Sequence, residues 1–299
     1  MLKIHHICGS TFAFETELSL LPFYKLNERD IVLLDAGYAP TDRELLPETL
    51  EACGFFVRGI LCSHAHMDHV GNVSRLCRRY DCRVGTHLIE AAIAISHDSF
   101  CRYYGIHASM RLGSEECFTA TDLIRPGQAT LDFCSATFGI LHLPGHSDGH
   151  LGYVTPDGVA YLGDAIMGFP QLEGSKMPFT TQLAQDLASK RAILELPATA
   201  YVVAHKAILS DVRELAEANI IRLLDKVEDV LSCLNGTPTG GEWLAAYCEK
   251  NGWNFRSDRS FSILEFGFNS VVTYLEETGR IVSRRVNGNR RYLRKTEHK

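Results

Sequence analysis

Apolar residues in this chain fall into short runs separated by turn residues, and the spacing within the runs changes along the sequence. Residues 31–34 form an apolar run ending in Asp35-Ala36-Gly37, the pattern of a buried strand entering a turn. Thr41-Asp42 then offers an N-cap to a helix carrying Leu45, Leu46, Leu50 and Cys53, stopped at Gly54. Residues 57–62 predict the next strand, and Val70, Val73, Leu76, Cys77 and Tyr80 follow at helical spacing. Strand patterns return over 131–143, and runs at 151–155 and 159–162 flank Pro156-Asp157-Gly158, a hairpin turn. A helix over 182–196 and a short strand over 201–204 complete this half. Strands and helices mixed with hairpins predict α/β layers with mixed sheets, not a doubly wound parallel sheet.

Residues 86–128 carry mostly helical patterning, with His97, His107, Phe100, Tyr103 and Tyr104, and suit either a roof over a pocket or packed surface helices. After Ser210 the pattern changes. Val212, Leu215, Ala216, Ile220, Leu223, Leu224, Val227 and Leu231 mark a long amphipathic helix ending near Asn235-Gly236. Shorter helical patterns follow over 243–248 and 263–275. Strand runs at 281–286 and 289–293 flank Asn287-Gly288, a two-residue hairpin signal. The shift places a boundary at residue 210, giving units of 1–210 and 211–299.

At 299 residues, with 45% hydrophobic and 22% charged content, the chain is of ordinary globular type. Its apolar runs, such as 91–95, are too short to cross a bilayer, and Met1-Leu2-Lys3-Ile4-His5-His6 has no signal-peptide pattern. No membrane partner and a cytoplasmic location are therefore expected. The ten scattered cysteines contain no C-x-x-C pair and read as reduced residues, not as a metal site. Residues 280–299 hold eight basic residues against one acidic, +7 on a chain of net charge −6. Such a tail serves an anionic partner or docks on the acidic body.

The chemistry concentrates in Ser63-His64-Ala65-His66-Met67-Asp68-His69, between a predicted strand and a helix. Imidazoles at i and i+2 of an extended chain point to one side, so His64 and His66 can share one metal ion. Asp68 and His69, where the chain turns into the helix, can face a second. Nitrogen and carboxylate donors without thiolate suit zinc, and also iron or manganese. Three further strand ends carry donors: His146 in Pro144-Gly145-His146-Ser147-Asp148-Gly149-His150, Asp164 after Tyr161-Leu162-Gly163, and His205 after Tyr201-Val202-Val203-Ala204.

In that order, Asp35, the H-x-H-x-D-H cluster, His146, Asp164 and His205 resemble the successive motifs of the metallo-β-lactamase superfamily, over roughly residues 1–210. The resemblance implies a four-layer αββα sandwich with two divalent metal ions at one edge. It assigns His64, His66 and His146 to one ion, Asp68, His69 and His205 to the other, and Asp164 to both. Asp35 would orient a ligand histidine, and His150 would support the site. The C-terminal helices and hairpin resemble the small winged-helix-like domains of many relatives. The turn around His146 and the short Asp164–His205 interval look closest to glyoxalase II-like thioesterases, with one departure: Ala204 and Lys206 flank His205 where many relatives have glycines.

The resemblance implies hydrolysis of a small ester or thioester by a hydroxide held between two metal ions, with Asp68 and Asp164 as catalytic carboxylates. Two alternatives share the donor set. One is phosphodiester cleavage in nucleic acid gripped by Arg284, Arg285, Arg290 and Arg291. The other is iron-dependent oxidation of the persulfide dioxygenase kind. The long C-terminal helix and hairpin would serve homodimer contacts equally well.

Overall fold

The computed structural model describes residues 1–103, 117–255 and 257–295. His107 and Tyr104, singled out above, lie outside them, as does the end of the basic tail, residues 296–299. In chain order the first elements are β1 (Lys3–Cys8), β2 (Thr11–Glu15), β3 (Leu20–Lys25), β4 (Asp30–Leu34), α1 (Ala39–Asp42), α2 (Leu45–Ala52), β5 (Phe56–Leu61), α3 (Met67–Val70), α4 (Val73–Tyr80), β6 (Arg83–His87), α5 (Leu88–Ala94), α6 (His97–Tyr103) and β7 (Asp122–Ile124). Then come β8 (Thr130–Phe133), β9 (Ala136–His142), β10 (Leu151–Val154), β11 (Val159–Tyr161), α7 (Phe169–Gly174), α8 (Leu183–Leu194), β12 (Ala200–Val203) and β13 (Ala207–Leu209). The chain continues through α9 (Arg213–Ser232), α10 (Gly240–Lys250), α11 (Asp258–Glu277), β14 (Ile281–Val286) and β15 (Asn289–Arg294).

Two mixed sheets face each other. Strands β1 to β7 lie side by side in chain order, antiparallel as far as β4 and parallel from β4 to β7. The second sheet runs β13-β12-β11-β10-β9-β8, with only β11 and β12 parallel. The apolar runs are continuous because both faces of these strands are covered. Val32 and Leu34 of β4 pack between the sheets with Phe133, Phe138, Tyr153, Tyr161 and Val202. Ile31 and Leu33 face the opposite way, against Leu46 and Leu50 of α2 and Leu76 of α4. On the second sheet, Ala160 and Val203 face Ile193 of α8 and Leu215 of α9. Helix, sheet, sheet and helix thus form the four layers of the metallo-β-lactamase fold, with C-terminal helices and a hairpin beyond them.

A separate cluster of Leu223, Val227, Trp243, Tyr247, Phe268, Val271 and Leu275 holds α9, α10, α11 and β14 together, and it reaches Leu183 and Leu187 of α8. Asn287 and Gly288 turn the hairpin with φ of 50° and 80°, as a tight two-residue turn requires. Three of its arginines and the preceding Arg280 bond to other parts of the C-terminal unit, while Arg284 and Arg285 are exposed. Arg280 donates to both carboxylate oxygens of Glu228, Arg290 to Glu276, Arg291 to the Thr237 carbonyl, and Arg294 to the Leu231 carbonyl.

Three expectations change. Thr41 and Asp42 do not cap α2, whose N-cap is Glu44 without a side-chain bond. Asp42 instead ends the one-turn α1 and is buried, accepting from the Tyr38 N–H and the Thr41 hydroxyl. The helical pattern from Val70 to Tyr80 is broken at Gly71-Asn72 into α3 and α4. A Cβ at Gly71 would lie 2.4 Å from the Ala39 N, so the two loops meet backbone to backbone there. The stretch 86–128, expected to be mostly helical, holds α5 and α6 but also opens on the end of β6 and contains β7 among its described residues. All ten cysteines are free, and no helix among the described residues is long and apolar enough to cross a membrane.

Candidate metal centre

The donors sit where strands end at one edge of the two sheets. His64 follows β5, and His66 is the extended residue preceding α3, with ψ of 147°. That extended stretch turns both rings to one side, while the one-turn helix brings Asp68 and His69 round behind them. His146 and His150 lie in the turn between β9 and β10, Asp164 follows β11, and His205 follows β12.

Two groups converge. In the first, His64 Nε2 lies 2.8 Å from His66 Nδ1, which lies 3.0 Å from His146 Nε2. One ring nitrogen cannot hydrogen-bond well to two others that also point at the common centre. Ligand atoms about 3.3 Å apart are what a tetrahedral ion with nitrogen bonds of about 2.0–2.1 Å brings together. The second group is Asp68, His69, Asp164 and His205, whose donor atoms all fall within 4.8 Å of one another. Asp164 spans both: Oδ1 lies 3.3 Å from His69 Nε2 and 3.4 Å from His205 Nε2, and Oδ2 lies 3.5 Å from His146 Nε2. Asp68 Oδ2 is 3.8 Å from His69 Nε2 and 3.7 Å from His205 Nε2.

Hydrogen bonds around the rings decide which nitrogen faces inward. His69 donates from Nδ1 to Asp35 Oδ2 at 2.7 Å, and Ser63 and Tyr161 donate their hydroxyls to the same oxygen. Because the Ser63 hydroxyl proton goes to Asp35, its oxygen is free to accept from His64 Nδ1 at 3.0 Å. His146 donates from Nδ1 to the Phe179 carbonyl, and His205 from Nδ1 to the Leu18 carbonyl. In each case the remaining nitrogen is the one turned toward the centre. His69 Nε2 and Asp164 Oδ1 are buried without a hydrogen-bond partner, as donors aimed at a cation would be.

Burial pushes His64 and His146 well below the ordinary imidazole range and His66 down to about 4. The second group behaves oppositely. Burial favours neutral His69, but Asp164, Asp35 and Asp68 outweigh it and hold that ring well above its usual value. Asp164 raises His205 to about 9, against the effect of burial. Burial works against charge on Asp164 too, yet His69 and His205 hold its carboxyl well below the usual range.

Asp35 and His150, expected as supporting groups, are both buried. His150 does not face the donors as a ligand would. Its Nε2 accepts from the Asp164 N–H at 3.1 Å and so anchors the chain that carries this carboxylate. Gly163 permits that approach, since a Cβ there would lie 2.7 Å from His150 Nε2. The residues around His205 follow their own course: Ala204 is fully buried, and Lys206 takes the left-handed φ of 67° that glycine adopts more readily. Sequence reasoning missed Ser63 and Tyr161 as partners of Asp35. It missed Phe179, whose ring lies 5.1 Å from His66 and 5.5 Å from His146 and stacks on Phe266 of α11 at 5.1 Å. It also missed Glu90, buried among the apolar residues of α5. A lone carboxylate in Leu88-Ile89-Glu90-Ala91-Ala92-Ile93 was a readable signal.

Comparison with known proteins gives a consistent answer. A model of the metallo-beta-lactamase superfamily matches residues 23–205. A hydroxyacylglutathione hydrolase of Synechococcus sp. is 29% identical over 182 residues, covering 58% of this chain and 60% of that protein. One from Shewanella baltica is 30% identical over 175 residues, covering 58% and 57%. The chain thus spans less than two thirds of the length of these curated relatives. A metallo-beta-lactamase family protein of Thermus thermophilus superposes with a TM-score of 0.68 at 22% identity, over 93% of this chain and 94% of that one. A beta-lactamase domain protein of Burkholderia ambifaria gives 0.70 at 17% identity, over 98% and 95%. At such identities the structures share a fold.

Proposed function

Since this chain belongs to the metallo-β-lactamase superfamily, and its donor groups are those of a metal-dependent hydrolase, we propose that it hydrolyses a small ester, most specifically a thioester. The observation that carries the reading is the placement of Asp164, with one carboxylate oxygen toward each group of imidazoles. Similarity to hydroxyacylglutathione hydrolases supports the thioester assignment.

His64, His66 and His146 would hold one divalent ion, Asp68, His69 and His205 the other, and Asp164 both. The ion we propose is zinc, because the donors are nitrogen and carboxylate without thiolate. When bound, such a pair supplies Lewis acidity and makes a water proton removable near neutral pH. The chain's own residues do the rest. Asp35, Ser63 and the carbonyls of Phe179 and Leu18 fix ring orientation, so the donors need little rearrangement. Asp68, whose side chain is a third exposed, would also hold the attacking water by a hydrogen bond. Phe179 covers one flank of His66 and His146 and limits water there.

Of the four arginines that could grip nucleic acid, Arg290 and Arg291 are engaged by Glu276 and the Thr237 carbonyl within the C-terminal unit, while Arg284 and Arg285 are exposed, so the hairpin lends that substrate less support than its composition promised. The test is parallel turnover of a thioester panel and an activated phosphodiester by zinc-loaded protein, with Asp164→Ala as control. Thioester turnover lost in the variant supports the proposal; turnover of the phosphodiester alone overturns it.

A further inference from the structure

The centre described so far is built on strand ends, but the first group also depends on a side chain from a helix. Glu90 lies in the first turn of α5 and is completely buried. Its Oε2 accepts from the Ala65 N–H at 2.8 Å. Its Oε1 accepts from the Ser147 hydroxyl at 2.8 Å and from the Gly149 N–H at 2.9 Å. Ala65 stands between His64 and His66, and Ser147 directly follows His146. One carboxylate therefore joins the two loops whose rings must meet, although 80 residues separate His66 from His146.

Other bonds tie these loops further from the rings. Leu151 N–H donates to the Ser63 carbonyl, and the Tyr153 hydroxyl to the Cys62 carbonyl. Glu90 carries the connection past His64 to the segment bearing the second imidazole. All three of its partners are donors, so only a group that accepts at both oxygens satisfies them. The site is also built for close approach. A Cβ at Gly149 would lie 3.0 Å from Glu90 Cγ and Oε1 and 2.5 Å from His87 Nδ1, so a glycine is needed there for the loop to settle on the carboxylate.

We infer that Glu90 is the positioning residue of the first metal group: it sets the separation of the His64–His66 segment from His146 and thereby the affinity of that group for its ion. The inference rests on the metal reading above. Glutamine is the informative replacement because it keeps the shape of the side chain. Its amide must turn an NH2 toward either the Ala65 N–H or the Ser147 and Gly149 donors. Two donors then face each other, and one side of the clamp opens.

The experiment measures zinc affinity by competition with a chromophoric chelator in two backgrounds. His205→Ala leaves the first group complete, and His64→Ala leaves the second. Glu90→Gln is expected to weaken zinc binding about 10–100-fold in the His205→Ala background, the usual cost of losing a group that supports a ligand. In the His64→Ala background it is expected to change nothing. Equal loss in both backgrounds, or no loss in the first, overturns the assignment. Failure of His205→Ala protein with Glu90 intact to bind zinc overturns the metal reading itself, and this inference with it. If Glu90→Gln does not fold, as judged by circular dichroism, Ser147→Ala carries the same test. It removes one donor of three and should produce a smaller loss confined to the same background; equal or absent loss overturns the inference.

Discussion

Asp35 Oδ2 lies 2.7 Å from Nδ1 of His69, although 34 residues separate them in the chain. Asp35 has a φ of 64° and is fully buried, and besides His69 it accepts from the Ser63 N–H, the Ser63 hydroxyl and the Tyr161 hydroxyl. A buried carboxylate with that many donors is held rigidly, and it passes this rigidity to the ring.

Asp35→Asn should therefore weaken the second ion about 10–100-fold while leaving the first in place. The amide puts an NH2 among groups that are themselves donors. Zinc stoichiometry after dialysis against a graded chelator checks it: one ion retained is the expected result, and two would contradict the role given to Asp35.

Asp164→Ala removes the one carboxylate that faces both groups. Thioester turnover should fall to background, with the far-ultraviolet spectrum unchanged. Retained activity would mean that the two groups do not act as a unit.

The metal-free protein should load its two ions with different proton release. Burial keeps His64, His66 and His146 neutral, whereas His69 and His205 sit above their usual values, His205 at about 9. A ring that holds a proton at pH 7.5 must lose it to ligate, so affinity for the second ion should rise with pH up to about 9. The first ion should bind with no imidazole proton released until the solution is far more acidic. Calorimetric titration with zinc in two buffers of different ionisation enthalpy separates the steps; equal proton release by both would refute the difference.

Trp243 is fully buried, donates from Nε1 to the Val230 carbonyl at 2.9 Å, and packs edge-on against Phe268. Trp243→Ala should cost about 3–5 kcal/mol, as truncation of a large buried aromatic does. Chemical denaturation with tryptophan emission of the remaining Trp253 provides the measurement. Loss below about 1 kcal/mol would mean that this cluster collapses around the gap.

Much of the centre was legible because its signals are local. His64, His66, Asp68 and His69 fall within six residues, and strand pattern alone turns two of them to one side. His146, Asp164 and His205 each follow an apolar run, so their placement at strand ends was readable one by one. Other features were not local. The short strands β1 to β3 left no expectation at all: His5 and His6 interrupt β1, and Pro22 sits within β3, where a proline argues against a strand. Thr41-Asp42 carried the signature of a helix cap, but Asp42 found better partners in the Tyr38 N–H and the Thr41 hydroxyl.

By itself the amino-acid sequence determined the alternation of buried strands and covering helices, the hairpin at Asn287-Gly288, and the set of side chains able to hold metal. These depend on spacing and on residue chemistry, which the linear chain carries. Only the tertiary structure decided that Asp164 points one oxygen at each group, that Asp35 and Ser63 set the tautomers of His69 and His64, and that Glu90 joins two loops. It also decided that Arg290, Arg291 and Arg294 of the basic hairpin bond within the C-terminal unit while Arg284 and Arg285 stay exposed. Apart from the Ser63–His64 bond between neighbours, these are contacts between residues far apart in the chain, and such bonds exist only once the packed layers have fixed where their partners lie.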